Sequence, residues 1–435
     1  MSDFNRVLIC GTGPVSIQMA VFMKKQWNSR IGIAGRISAR SEHFYNALSS
    51  YHQFVRADVQ NELHQVMEGE IKVDELFQSY ETVTGMWDTI VLTVTADAYG
   101  QVLQRLDAEL LRHVSCILLM SPTLGSGSLV QSYMTAMNPA AEMISFSTYL
   151  GDTRWVDSTP SNQVLTTAVK KKLYVGSTIP ASDRVSSLCE HFARSGVQLK
   201  RMESPIAAES RNISLYVHPP LFMNNFSLHR IFGKSDIPAY VYKLFPEGPI
   251  TSTLIQEMLS QWKEIMNILS SLQVEPLNLL KFMIDDNYPI RSESLAREDI
   301  EHFLELDDIH QQYLLYIRYT CLLIDPFSKP DKDGKYFDFS AVPIRKTFIN
   351  KQGQWDIPRM PKEDYYRLKI IQGIARHTNN ASPTIDRFVE RYENTIQEIA
   401  LQHPERILSN AFEVQTFAED LKQICSSLSA VILRS

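Results

Sequence analysis

A glycine-containing turn near the N-terminus is the strongest chemical signal in the sequence. Residues 7–16 read VLICGTGPVS, an apolar run that ends in a turn and leads into a helix rich in Met, Ala and Phe. Gly11 permits the tight turn, Gly13 lets the backbone approach a pyrophosphate, and the helix N-terminus supplies N–H groups and the positive end of its dipole. Ser16 stands where the third glycine of the dinucleotide fingerprint is expected. The segment predicts a dinucleotide site formed by Gly11, Thr12, Gly13, Pro14 and Val15, although plain turn chemistry also places glycines in this way.

The residues after the second predicted strand indicate which nucleotide binds. A site that prefers NAD carries an acidic residue about 20 residues after the glycine turn. Here the strand is followed by Gly35 and Arg36, and Arg40 comes one helical turn later. A guanidinium suits a 2′-phosphate, so NADP (NADPH when reduced) is the expected cofactor. Two surface arginines at the start of a helix are the alternative. Thr95 and Ala96, after the third predicted strand, are expected to lie against the cofactor, because ligands of open sheets bind outside the carboxyl ends of strands.

Hydride transfer to a carbonyl or imine needs an acid or base at the reacting atom, and cations if the substrate carries carboxylates. Asp152 and Arg154 follow a predicted strand and are candidates for this half of the site, with an ordinary loop pair as the alternative. His218 lies in the polar segment 209–220 and is the natural general acid/base there, because imidazole titrates near neutral pH. Most of the 11 histidines in such a chain are structural or exposed. Tyr242 is a candidate hydrogen-bond donor to a bound acid, or a packing residue.

Short aliphatic runs alternate with helical stretches over the first two hundred residues, which is the pattern of a parallel sheet covered by helices. The predicted strands are 6–10, 30–34, 89–95, 116–121, 143–148 and 172–176, and their nearly continuous hydrophobicity is typical of central parallel strands. Beyond residue 203 amphipathic helices take over. The predicted helices are 254–269, 300–323, 364–374 and 385–399, the last capped by Ser382. The prediction is an α/β fold with an N-terminal Rossmann-type parallel sheet (1–203, binding NADP) and a C-terminal mainly α-helical domain (204–435, binding substrate).

Composition narrows the class of protein. Hydrophobic residues make up 44% and charged residues 21% of the 435, which predicts a soluble folded chain. The net charge of −6 disfavours a nucleic-acid binder. Five widely spaced cysteines without a CxxC pair predict reduced thiols in a cytoplasmic protein and no zinc or other metal site. No export leader is apparent and no apolar stretch approaches about 18 residues, so a membrane protein is not expected.

Several blocks of the sequence resemble the opine-metallophore dehydrogenases of the staphylopine dehydrogenase type. The blocks are GTGPV at 11–15, TADAY at 95–99, SFSTYLGDTR at 145–154, and the segments 214–222, 241–250 and 338–343. They span almost the whole chain. The resemblance implies a fold related to octopine dehydrogenase, a homodimer, and the last step of metallophore synthesis. In that step an α-keto acid condenses with the amine of an aminobutyryl-histidine intermediate, and NADPH reduces the imine.

The resemblance also implies roles for single residues. Arg36 matches the contact to the adenine-ribose phosphate, whereas Arg40 aligns with the second basic contact only after a small shift. His218 matches the proposed catalytic histidine, and Tyr242 matches a tyrosine of the site. Asp325 is our hypothesis for the carboxylate that orients His218.

Asp152 matches a position tied to the choice of keto acid. An aspartate there resembles the members that use pyruvate, and an alanine resembles those that use α-ketoglutarate. Physical reasoning agrees, since an aspartate carboxylate repels the distal carboxylate of α-ketoglutarate and leaves room only for a methyl group. Two other functions stay open from the sequence: a hydroxyacid or ketopantoate-type NADP reductase that acts on a carbonyl without an amine, and a non-catalytic NADP sensor.

Overall fold

The computed structural model describes residues 4–157, 159–286, 288–321, 332–334, 338 and 340–432. The chain divides into two compact units. Unit 1 consists of Met1–Asn212 and Ala418–Ser435, and unit 2 consists of Ile213–Phe417. The predicted boundary at 203 lies nine residues before this division (212 − 203 = 9), and the C-terminal helix belongs to unit 1 although it follows unit 2 in sequence. A division of labour between a cofactor domain and a substrate domain stays a prediction.

The described part of unit 1 contains strands β1 to β12 and helices α1 to α7 and α16. The strands are β1 Arg6–Cys10, β2 Arg30–Ala34, β3 Phe54–Val59, β4 Gly69–Lys72, β5 Glu75–Phe77, β6 Thr89–Leu92, β7 Cys116–Leu119, β8 Glu142–Phe146, β9 Asp152–Trp155, β10 Gln163–Thr167, β11 Lys172–Ser177 and β12 Gln198–Met202. The helices are α1 Pro14–Trp27, α2 Ala39–Ser50, α3 Tyr99–Arg105, α4 Ala108–His113, α5 Ser126–Met137, α6 Asp183–Arg194, α7 Pro205–Glu209 and α16 Ala418–Ile432.

Eight strands of unit 1 form one sheet in the order β12-β11-β8-β7-β6-β1-β2-β5. From β8 to β5 all neighbours pair in parallel. β1 and β2 have the predicted bounds, and β6 and β7 end two or three residues earlier than predicted. The expectation that 172–176 is a parallel strand is confirmed on one side only, since β11 pairs in parallel with β12 but runs antiparallel to β8. The chain between β8 and β11 forms the hairpin of β9 and β10 instead of a crossover helix, and only a crossover returns a strand in parallel.

The carboxyl ends of β1, β2, β6, β7 and β8 lie at one edge of this sheet, which we call the carboxyl edge. Each of these strands is buried along its last four residues, because helices cover the sheet. Helix α1 is buried from Ser16 to Met23 and connects β1 to β2. The α/β prediction is therefore confirmed, and the carboxyl edge is where ligands of such sheets bind.

A second sheet of unit 1, in the order β4-β3-β10-β9, is absent from the sequence prediction. Its strands alternate buried and exposed positions, as in β3, where Val55 and Ala57 are buried and Phe54 and Arg56 are exposed. Such half-exposed strands have a weak signal compared with the apolar runs of the main sheet. This sheet carries the segment after β8 as strand β9.

The described part of unit 2 contains helices α8 to α15 and one small hairpin. The helices are α8 Ser214–Phe222, α9 Asn225–Phe232, α10 Ser252–Ser271, α11 Leu279–Asp285, α12 Arg297–Glu301, α13 Asp308–Thr320, α14 Arg359–His377 and α15 Pro383–Gln402, and the hairpin strands are β13 Phe348–Ile349 and β14 Trp355–Asp356. The mainly helical prediction is confirmed. The predicted helix 300–323 is two helices, because the chain turns between α12 and α13. None of the described helices is long and apolar enough to cross a membrane.

Helix α15 begins as predicted with Ser382 at the N-cap and Pro383 at the first helical position. The Ser382 side chain makes no capping hydrogen bond. Glu264 of α10 caps the helix instead, because its two carboxylate oxygens accept the N–H groups of Thr384 at 2.7 Å and Ile385 at 3.0 Å. Glu264 is only 8% exposed, so this carboxylate ties α10 to α15 inside the core of unit 2.

We expect Glu264→Gln to lower the free energy of unfolding by about 1–3 kcal/mol, since the amide NH₂ replaces an acceptor and leaves one buried N–H without a partner. Urea titration followed by circular dichroism measures the change. The control is Glu398→Gln on the exposed side of α15. Equal stability of the two variants would show that the cap contributes nothing.

Candidate active site

The glycine turn lies at the carboxyl edge with the geometry that a dinucleotide needs. Gly11 has φ +143°, and a Cβ there would come within 2.4 Å of Thr93 Oγ1. A Cβ at Gly13 would meet no atom within 4 Å, so the space above the turn is open. Ser16, fully buried in place of the third glycine, donates from Oγ to the Gly13 carbonyl at 2.5 Å and closes the turn. Gly13 is the N-cap of α1 and no side chain caps this helix, so its first N–H groups face the open space.

The other predicted cofactor residues of unit 1 come to the same edge. A Cβ on Gly35 would lie 2.4 Å from Thr12 Cγ2, so the turn after β2 touches the glycine turn. Arg36 follows directly and is exposed, with no ion pair to any described carboxylate. Thr95 is the N-cap of the short 3₁₀ turn Ala96–Ala98 after β6. Arg40 lies in the first turn of α2, and its side chain is outside the described part of the structure. The residues present therefore fit a bound dinucleotide.

A second helix N-terminus near this edge is already filled by the protein. Glu209, fully buried, accepts the N–H groups of Gly125 at 2.8 Å and Gly127 at 2.6 Å and the hydroxyl of Ser145 at 2.8 Å. Burial raises the pKa of Glu209 to about 8, against the lowering effect of these hydrogen bonds. The start of α5 is thus occupied by a carboxyl group, and the start of α1 is left for a phosphate.

Asp152 and Arg154 lie on β9 and both are exposed. They form no ion pair with each other or with other described residues, which argues against the ordinary loop pair. Thr153, between these two residues, hydrogen-bonds through its hydroxyl to the hydroxyl of Tyr149 at 2.8 Å, which anchors the strand to the core. The segment from β8 to β9 therefore presents two charged side chains from a firmly held backbone.

Lys170, just before β11, is a cation at the same edge, because β11 runs antiparallel to β8 and begins where β8 ends. Its Nζ lies 3.3 Å from Thr148 Oγ1, and it has no ion pair among the residues that the structure describes. Burial lowers the pKa of Lys170 to about 8. A half-buried ammonium without an ion pair among the described residues is suited to an anionic ligand.

In unit 2, His218 lies on α8 beside a buried carboxylate. His218 Nδ1 is 3.7 Å from Asp364 Oδ1, and Asp364 is fully buried on α14. Arg367, one turn further along α14, forms an ion pair with the same oxygen. On the other side of the ring, Nε2 lies 3.5 Å from Ser214 Oγ. The imidazole is 15% exposed, so it is accessible on one side while a carboxylate stands behind it.

Tyr242 belongs to the same unit and lies between two charges. Its pKa is raised by burial, with the nearby Asp364 carboxylate adding to the shift and the Arg318 guanidinium opposing it. Arg318 is 3% exposed, forms no ion pair with a described carboxylate, and has no hydrogen-bond partner at Nε. Its guanidinium carbon lies 5.1 Å from the ring of Tyr319 and 6.0 Å from the ring of Tyr288. A buried arginine without a counter-ion is a ready site for a carboxylate.

Sequence reasoning missed Asp364, Arg367 and Arg318. Asp364 and Arg367 fall on a correctly predicted helix, but nothing in the sequence connects them to a histidine 146 residues earlier (364 − 218 = 146). The proposed partner Asp325 lies outside the described residues, so its role stays a prediction. Within the described ranges no group of three or more His, Cys, Asp or Glu side chains is arranged to hold a metal ion.

Comparisons with known proteins find relatives that match almost the whole chain. The staphylopine dehydrogenase family matches residues 5–428. Staphylopine synthase of Staphylococcus aureus strain Mu50 is 49% identical over 421 residues, which cover 96% of each chain. Pseudopaline synthase of Pseudomonas aeruginosa strain UCBPP-PA14 is 37% identical over 91% of this chain and 90% of that protein. A solved structure of yersinopine dehydrogenase with NADP⁺ bound superposes with a TM-score of 0.91 at 27% identity and covers 99% of this chain and 100% of that chain.

The fold and the matches together define an oxidoreductase with a Rossmann-type sheet and a helical second part. The chain belongs to the staphylopine dehydrogenase family and is an opine dehydrogenase. The expected family is thereby confirmed.

The buried Glu209 makes the stability of unit 1 depend on pH. A carboxyl group whose pKa is higher in the folded state stabilises the fold below its ordinary value of 4.5, and this contribution is lost as pH rises toward about 8. We expect the wild type to lose about 3 kcal/mol of unfolding free energy from this group between about pH 5 and about pH 8, and Glu209→Gln to lack that loss. Urea titrations across this range measure it. The exposed Glu190→Gln is the control, and parallel pH curves for wild type and Glu209→Gln would refute the prediction.

Proposed function

We propose that the protein is an NADPH-dependent opine dehydrogenase that joins pyruvate to the amine of an aminobutyryl-histidine and reduces the resulting imine to a staphylopine-like opine. The observation that carries the proposal is the accessible His218 imidazole backed by the buried Asp364 carboxylate, in a unit that also holds the unpaired Arg318. Membership of the staphylopine dehydrogenase family supports the reaction class.

The residues of the carboxyl edge hold the cofactor in this proposal. The N–H groups at the start of α1 bind the pyrophosphate, Arg36 binds the 2′-phosphate, and Thr95 and Ala96 border the same space. NADPH, when bound, supplies the hydride that reduces the imine. The NADP⁺ in the yersinopine dehydrogenase structure supports the choice of cofactor.

The keto acid binds near β9 in this proposal. Lys170 binds its carboxylate, and Asp152 rejects a second carboxylate at the far end of the molecule, which favours pyruvate over α-ketoglutarate. Arg154 lies two residues from Asp152 on the same side of the strand and adds a positive charge for the carboxylate of the amine substrate.

His218 moves the protons of the condensation. The incoming amine must lose a proton to attack the keto carbon, and the hydroxyl that leaves must gain one, so a single imidazole serves both steps. Asp364 stabilises the imidazolium that forms between them. Arg318 and Tyr242 bind a substrate carboxylate and keep the amine in place. The homodimer and the cytoplasmic location belong to the proposal, and the five unpaired cysteines support a reducing compartment.

Steady-state NADPH oxidation tests the proposal. We expect turnover with pyruvate and an aminobutyryl-histidine together, none with pyruvate alone, and little with α-ketoglutarate. Asp152→Ala should admit α-ketoglutarate because the repelling charge is gone. His218→Gln should lower kcat by at least about 100-fold while NADPH still binds. Turnover without any amine would indicate a ketopantoate-type reductase, and NADPH binding without turnover of any pair would indicate a sensor.

Arg36→Ala tests the phosphate contact. We expect KM for NADPH to rise about 10- to 100-fold while KM for NADH stays within about twofold, because a charge-assisted hydrogen bond contributes about 1.5–3 kcal/mol. The control is Arg30→Ala at the opposite end of β2, where the guanidinium pairs with Glu75. If both cofactors are affected equally, Arg36 does not contact the 2′-phosphate.

A further inference from the structure

One carboxylate oxygen in unit 2 faces a guanidinium and an imidazole. Arg367 Nη1 binds Asp364 Oδ1, and His218 Nδ1 lies 3.7 Å from the same atom. That distance is too long for a hydrogen bond, since N–H···O bonds lie near 2.7–3.2 Å. Arg367 has thus taken the oxygen, and the imidazole stands just outside bonding range. In the described structure Asp364 Oδ2, His218 Nδ1 and Arg367 Nε are buried and have no hydrogen-bond partner.

The Asp364–Arg367 pair is fixed within one helix, whereas His218 comes from another. Asp364 is fully buried and Arg367 is 8% exposed, so neither side chain is free to find water in place of the other. Both lie on α14, one turn apart, so their pairing is fixed by the helix. His218 comes from a different helix, α8, so no local backbone geometry fixes its distance to the carboxylate. A plain structural ion pair would use both carboxylate oxygens, as Arg–carboxylate pairs commonly do.

Among the residues that the structure describes, few other charged or titratable side chains face this cluster. Tyr242, from the segment after α9, and Tyr392, from α15, both feel the Asp364 carboxylate, and burial raises the pKa of each. Arg318 of α13 faces Tyr242. Helix α10 contributes the uncharged Gln261, which donates to the Leu215 carbonyl of α8. The two carboxylates of α10 bind elsewhere, Glu257 to Arg391 and Glu264 to the start of α15. Among the described residues, the cation in direct contact with Asp364 is Arg367.

We propose that Arg367 is a positioning residue of the active site. It holds the Asp364 carboxylate by an ion pair, so that only part of the negative charge of Asp364 stabilises a proton on His218. A carboxylate left entirely to His218 would hold the imidazole in its protonated form, and the ring could no longer take a proton from the incoming amine. A carboxylate shared with Arg367 lets the ring both accept and return the proton. The catalytic meaning rests on the proposed role of His218, whereas the effect on the imidazole does not.

The test is an NMR titration of the free enzyme labelled with ¹³C at its histidine rings, with the His218 signal assigned by its loss in His218→Gln. Arg367→Gln removes the charge and keeps a hydrogen-bond donor. We expect the midpoint of the His218 titration to rise by about one pH unit. Without Arg367 the Asp364 carboxylate interacts with the imidazolium alone, and the guanidinium charge that repels the imidazolium is gone. Arg391→Gln, which removes an arginine paired with Glu257 in the same unit, should leave the midpoint unchanged.

A second background shows whether Arg367 acts through Asp364. In Asp364→Asn, we expect Arg367→Gln to move the midpoint by less than half as much as it does in the wild type. An unchanged or lowered midpoint in Arg367→Gln, or an equal shift in both backgrounds, would overturn the proposal. If Arg367→Gln does not fold, the unmodified enzyme still decides the question. The proposal predicts no strongly downfield Nδ1 proton for His218, and the presence of that proton would refute it.

The kinetic readout separates this inference from the proposed function. If His218 is the proton carrier, the acid limb of the pH profile of kcat/KM should move with the NMR midpoint in Arg367→Gln. A moved NMR midpoint with a fixed pH profile would support the role of Arg367 toward His218 and contradict the catalytic role of His218. A change in thermal stability alone, with neither midpoint moved, is what a merely structural ion pair would give.

Discussion

Parallel pairing of six strands is the constraint on which the cofactor half of this protein depends. Parallel strands end on the same side of a sheet, so the turns after β1, β2 and β6 meet although their residues are far apart in sequence. Close packing at this edge then limits which residues are possible. Gly11 and Gly35 have no room for a side chain, whereas the space above Gly13 is open. The same strand-to-helix turn that builds the sheet thereby exposes the unpaired N–H groups that attract a phosphate.

Two buried carboxylates of unit 2 differ in how far their oxygens are hydrogen-bonded or paired. Glu264 is fully used, since both its oxygens cap α15. Asp364 is not, because one oxygen is shared and the other has no partner in the described structure. A buried charge with unused hydrogen-bonding capacity is costly, and such sites are retained where chemistry needs them. In our proposal, the contrast between these two carboxylates separates the structural role of Glu264 from a functional role of Asp364 within the same helical core.

The lysines and arginines also differ in whether they have an ion-pair partner. Many lysines and arginines in the described part of this acidic chain pair with exposed carboxylates, as Arg105, Arg112 and Arg194 do, and such pairs contribute little. Arg318 and Lys170 are different because Arg318 is buried, Lys170 is half-buried, and neither has an ion pair within the described ranges. An enzyme for substrates with several carboxylates needs few cations of this kind. The net charge of the chain is a poor guide to them, since burial and not number makes them effective.

Local pattern was enough to predict part of this protein. The apolar runs of β1 and β2 and the glycines between β1 and α1 are properties of short segments, and the cofactor turn could therefore be predicted residue by residue. The long blocks shared with the opine-metallophore dehydrogenases likewise identified the family and made His218 a candidate catalytic residue. Only the tertiary structure decided what stands behind that histidine. Asp364 and Arg367 reach His218 through the packing of α14 against α8, and Glu264 reaches α15 across the core, contacts that no local spacing encodes. Pairing direction was also a tertiary outcome, since β11 has the apolar sequence of a parallel strand and pairs in parallel with β12, yet runs antiparallel to β8 because a hairpin precedes it.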